Sequence, residues 1–139
     1  MLSIIYSSVA TTPFDDQSLA DLLTLSRTNN SSDGVTGMLL YRDGHFLQVL
    51  EGDYDAVRAK MAVIAADDRH SDVTTLLEEV VSERRFPEWT MGYRPVAEHE
   101  ADDIPGYRTT FDDIAGRRTG GGTLLALRQV MGWFQAQPG

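Results

Sequence analysis

Gln48 stands inside an apolar run, Phe46-Leu47-Gln48-Val49-Leu50. Alternate side chains of a strand share a face, so Gln48 lies between Phe46 and Leu50 on an apolar surface. Burying a primary amide without partners costs about 1–3 kcal/mol per unmet group. The side chain carries one acceptor oxygen and two N–H donors, so something polar must meet it inside. Tyr6, on the strand face of Leu2 and Ile4, offers a phenol that both donates and accepts. Taken singly, each such residue has an ordinary role. Gln48 could bond backbone or water, Tyr6 could be a core tyrosine, Asn30 a helix stop, and Trp89 and Met91 core packing.

Other chemistry is poorly supported. The chain has no cysteine, which excludes disulfides, a catalytic thiol and iron–sulfur ligation. His45, His70 and His99 lack metal-ligand spacing. Gly120-Gly121-Gly122-Thr123 has neither the lysine nor the preceding strand of a phosphate loop. No GxGxxG follows a strand, so a Rossmann dinucleotide site is unsupported. The pairs Asp67-Asp68, Glu78-Glu79 and Asp102-Asp103 are sequence neighbours that point apart, which favours a solvated face over a catalytic dyad.

The elements that must position these residues can be read from pattern. Residues 2–9 read as a strand, ended by Thr11-Thr12-Pro13. Asp15 or Asp16 can cap a helix with the stripe Leu19, Leu22 and Leu23, stopped by Asn29 to Gly34. Val35–Tyr41 and His45–Glu51 flank Arg42-Asp43-Gly44 as a β-hairpin. Asp53 can cap a second helix with the stripe Val57, Met61, Ile64 and Ala65, closed by Asp67 to His70 with cations in the last turn. Residues 74–82 and Trp89–Arg94 read as further strands. The order β-α-β-β-α-β-β predicts an α+β, ferredoxin-like sheet with both helices on one face. Ile5, Leu47 and Val49 make the other face apolar, so it too needs cover. A tail helix over 123–136, capped by Thr123, would present Leu124, Leu127, Met131 and Phe134 to that face, with Val130 and Trp133 as surplus apolar surface. A shorter helix is predicted near Tyr107–Ala115.

Order and spacing make these residues a set. Tyr6 in the first strand, Asn30 at the first helix, Gln48 in the third strand and Trp89-Thr90-Met91 near the last resemble the BLUF family. The match extends to Val35-Thr36-Gly37-Met38-Leu39-Leu40-Tyr41, to Phe46-Leu47-Gln48-Val49-Leu50-Glu51-Gly52 and to Asp68-Arg69-His70-Ser71. It covers about residues 1–95, leaving 96–139 as a C-terminal helical extension.

The resemblance implies a blue-light photoreceptor, not an enzyme, that binds FAD non-covalently between the two helices. It implies that Tyr6 and Gln48 form the light-sensing pair and that Asn30, with Asn29 beside it, meets the flavin edge. Leu22 and Ile64 would sandwich the ring, and Asp67, Arg69 and His70 would line the site. Trp89 and Met91 would be output positions. The family often has arginine near position 63, where this chain has Val63. In the implied mechanism Tyr6 supplies an electron and a proton to the excited flavin, and Gln48 relays the proton. Gln48 then rotates or tautomerises, and its new hydrogen bond red-shifts absorption. An amide with swappable donor and acceptor ends suits such a switch.

The competing reading is a small ferredoxin-like enzyme of the acylphosphatase type, which needs a phosphate loop that the chain lacks. A third is a ligand-free interaction module. The 139-residue chain has 42% hydrophobic residues and a net charge of −9. That acidity argues against nucleic acid and anionic membrane as partners. Apolar runs are too short to span a bilayer and the N-terminus does not resemble a signal peptide, so a cytoplasmic location is expected. With no room for a fused cyclase or phosphodiesterase, output is expected through a homo-oligomer or a separate protein effector.

Overall fold

The computed structural model describes residues 1–87, 89–93, 96–117 and 120–136. Contacts divide the chain into two units, Met1–Tyr93 and Arg94–Gly139.

In the first unit, β1 (Leu2–Ala10) leads to α1 (Asp16–Asp33), followed by β2 (Thr36–Arg42), β3 (His45–Gly52), α2 (Tyr54–Ala65), β4 (His70–Val80) and β5 (Gly92–Tyr93). The sheet order is β4-β1-β3-β2-β5. β1, β2, β3 and β4 pair antiparallel, whereas β5 runs parallel to β2. Leu19, Leu22 and Leu23 of α1 and Val57 of α2 pack with Leu2, Ile4, Tyr6, Leu39, Phe46 and Leu50. Both helices therefore lie on the sheet face that carries Tyr6, and the unit is the expected α+β, ferredoxin-like sheet.

Local chemistry sets most boundaries. Asp15 caps α1: its carboxylate accepts from the Ser18 N–H at 2.7 Å, and the Ser18 hydroxyl accepts from the Asp15 N–H at 2.9 Å. Asp43 and Gly44, at φ 49° and 80°, form the two-residue turn whose twist suits a hairpin. α1 runs through Asn29 and Asn30 and stops at Gly34, which takes the left-handed conformation. Asn30 is thus a buried helical residue and not the stop.

Several expected boundaries move. α2 ends at Ala65 with no basic residue in its last turn, and His70 opens β4, which begins before residue 74 and ends at Val80. Asp53 precedes α2 without a side-chain capping bond, and Ala65 is exposed. The last strand is only Gly92–Tyr93, so Trp89 and Met91 precede it. Arg94 lies outside the described residues.

The second unit holds a 3-10 turn at Glu98–Glu100, then α3 (Tyr107–Ala115) and α4 (Gly121–Gln135). The 3-10 turn was not anticipated. Gly120 occupies the cap position of α4, while the Thr123 hydroxyl donates to Asp113 Oδ2 at 2.6 Å. Thr123 therefore ties α4 to α3 and does not cap. Leu127, Val130, Met131 and Phe134 are buried, but Leu124 and Leu125 are exposed. Val130 is core and not surplus surface.

Candidate functional site

Tyr6 and Gln48 are directly opposed partners in the β1–β3 ladder. Their side chains rise on the helix-covered face, and the Tyr6 hydroxyl donates to Gln48 Oε1. The other end of the amide, Nε2, donates to Met91 Sδ at 3.3 Å. All three residues are buried. Burial pushes the Tyr6 phenol well above its ordinary range, and the Asp67 carboxylate adds to the rise. The phenol is therefore neutral and its proton points at the amide oxygen.

A cleft opens between α1 and α2 above this pair. Leu22, Asn29 and Asn30 line it from α1, Ile64 from α2, and Gln48 and Leu50 from the sheet. Asp67, Arg69 and His70 follow α2 at the same cleft. The cofactor-binding residues expected from sequence thus border one space, apart from Tyr6, which reaches it through Gln48. Trp89 is half-buried beside Phe86, with ring centroids 5.2 Å apart, and Met91 is the residue against Gln48.

The polar rim is internally paired. Arg69 binds the Asp67 carboxylate at 2.5 Å, and these hydrogen bonds hold the Asp67 carboxyl down to about 2. His70 Nδ1 lies 2.9 Å from the Ser8 hydroxyl, and its ring packs on Phe46 at 4.9 Å. Burial lowers the His70 imidazole below its ordinary range, Asp67 opposes that shift, and Arg69 adds to it. Lys60 reaches the cleft but pairs with Asp33 at 2.7 Å.

Sequence reasoning missed Ser8 against His70, Lys60 at the cleft, and Arg27, whose Nε donates to the Met91 carbonyl at 2.9 Å. Ser8 follows Tyr6 by two residues and so shares its face, a signal that was available. Arg27 precedes Asn30 by three residues and so shares a helix face, which was also legible. Only the fold shows what either meets.

The donor set fits a flat, apolar heterocycle with a polar edge. Leu22 and Ile64 provide apolar walls from two different helices. Among the described residues Gln48 Nε2, which carries two N–H donors, meets only a thioether, a weak acceptor. A ring carbonyl or nitrogen would satisfy that amide better.

Comparison with known proteins agrees. The family model "Sensors of blue-light using FAD" matches residues 1–92. The chain belongs to the BLUF family. Photoactivated adenylate cyclase subunit beta of Euglena gracilis is 37% identical over 92 residues, 66% of this chain and 11% of that protein. The blue light- and temperature-regulated antirepressor BluF of Escherichia coli is 27% identical over 124 residues, 83% of this chain and 31% of that protein. The dark-state structure of the BLUF protein BlrB superposes with a TM-score of 0.76 at 27% identity, covering 94% of this chain and 95% of that one. The chain thus spans well under a third of the curated Euglena relative. The family is one of flavin-using blue-light sensors, which displaces the acylphosphatase alternative. Among the described residues no helix is long and apolar enough to cross a membrane.

Proposed function

We propose that this BLUF chain senses blue light with FAD held non-covalently in the α1–α2 cleft. Leu22 and Ile64 would hold the ring, and Asn29, Asn30 and Gln48 would meet its polar edge. Bound flavin supplies a strong oxidant on absorbing blue light. Tyr6 can release an electron to that oxidant and its hydroxyl proton to Gln48 Oε1, the atom placed to take it. Both would return to the phenol as the switch completes, leaving tyrosine and flavin in their starting oxidation states. Gln48 then turns or tautomerises, exchanging the ends it presents to Tyr6 and Met91. The observation that carries this reading is the buried relay Tyr6–Gln48–Met91 at the cleft wall.

Output runs through the segment bearing Trp89 and Met91 to residues 96–139, and from there to a protein effector or a second copy of the chain. Exposed Leu124 and Leu125 offer apolar surface for such a contact.

The test is direct. Denature the purified protein, separate the supernatant by chromatography, and record difference spectra under blue light. Released FAD and a reversible red shift are expected. A colourless protein that also fails to take up added FAD, FMN or riboflavin would end this reading.

A further inference from the structure

Arg27 and Asn30, one turn apart on α1, grip the same short segment. Arg27 Nε donates to the Met91 carbonyl at 2.9 Å, and Asn30 Nδ2 donates to the Thr90 carbonyl at 2.6 Å. These are consecutive carbonyls, and the Met91 side chain is the acceptor facing Gln48 Nε2. The segment has little ladder of its own. β5 pairs with β2 through Met38↔Gly92 and Leu39↔Tyr93, and the Gly37 N–H donates to the Trp89 carbonyl at 2.8 Å. Backbone with so few ladder bonds depends on side-chain donors for its position. Asn30 also lines the cleft, whereas Arg27 does not.

We infer that Arg27 is a positioning residue, a latch on the Met91 main chain that governs how quickly the switched Gln48 returns. This rests on the photocycle proposed above. For the amide to present its other end, the Met91 sulfur must yield its place against Nε2. For the amide to turn back, that sulfur must dock again. Arg27 holds the Met91 carbonyl with a charge-assisted bond, so it keeps the thioether near its docked position throughout. Without it, re-docking becomes a search and the return slows. Of these two α1 donors, Asn30 alone then holds the segment's backbone. Arg27 itself is exposed, so its removal leaves the core packing intact.

The test compares Arg27→Ala and Arg27→Lys with the wild-type protein, each loaded with FAD. Both variants should keep the dark spectrum. Thermal return after a blue flash should slow about tenfold in Arg27→Ala, the low end of what a hydrogen bond from a charged donor is worth. Arg27→Lys, which keeps a charged donor without the fork, should fall between. A second measurement needs no light chemistry. In a Trp133→Phe background, iodide quenching of Trp89 in the dark should rise on Arg27→Ala. An unchanged or faster return together with unchanged quenching overturns the latch. A wild-type protein that binds flavin but shows no reversible red shift overturns the photocycle instead, and the quenching comparison then decides the latch alone.

Discussion

The Trp89 indole lies directly against the backbone of Gly92, and a Cβ at position 92 would overlap the ring. The ring also packs on Phe86 with an interplanar angle of 32°. Absence of a side chain at Gly92 is therefore what lets Trp89 stay half-buried while Met91 faces Gln48. Gly92→Ala should expel the indole. In a Trp133→Phe background, Trp89 emission should shift to the red and iodide quenching should rise. Emission equal to the parent's would show that the loop absorbs the methyl without moving the ring.

Tyr6→Phe should bind flavin as well as the wild type and lose the light-induced red shift. The ring still fills its buried site, but the hydroxyl that donates to Gln48 Oε1 is gone. Gln48→Leu should also be blind to light, since it removes both ends of the switch. Difference spectra after illumination check both. A Tyr6→Phe protein with an unaltered photocycle would refute the assigned role.

Glu51 is a fully buried carboxylate whose Oε1 accepts from the backbone N–H groups of Arg85 at 2.7 Å and Phe86 at 3.0 Å. It anchors the loop that leads to Trp89. Glu51→Ala strands two donors and should cost roughly 2–4 kcal/mol of stability, while Glu51→Gln keeps an acceptor and should cost about half as much or less. Urea denaturation monitored by circular dichroism measures both. A Glu51→Ala loss under about 0.5 kcal/mol, the range of an ordinary surface change, would deny the anchor.

His70 makes stability depend on pH. Burial lowers its folded-state value below the ordinary 6.5, so the unfolded chain binds the proton more tightly. Its stability contribution is present above pH 6.5 and is lost as pH falls through the lowered value. The melting temperature should therefore drop between pH 7 and pH 5, and His70→Asn should flatten that drop. The Asp67 contribution, small because the pair is partly exposed, is lost only lower, between its ordinary 3.8 and about 2. A His70→Asn profile parallel to the wild type's from pH 5 to 7 would assign the slope elsewhere.

Local chemistry and face periodicity were enough to read much of this protein from sequence. Asp15-Asp16 announced α1, with Asp15 proving to be the cap, Asp43-Gly44 announced the hairpin, and α3 was predicted over the residues it occupies, because capping carboxylates, positive-φ turns and apolar spacing act within a few residues. Alternation along β3 identified Gln48 as a buried amide in need of a partner. What alternation could not supply was the partner on its far side. Tyr6 reaches Gln48 through strand register, and Met91 reaches it only because the segment before β5 is held beside β2. Register and loop placement are long-range: they follow from which apolar faces pack together, not from any local propensity. For the same reason Asn30 read as a helix stop, when tertiary packing carried α1 on to Gly34. The latch at Arg27 was invisible in sequence because its acceptor is a backbone carbonyl 64 residues away, and a carbonyl has no sequence identity.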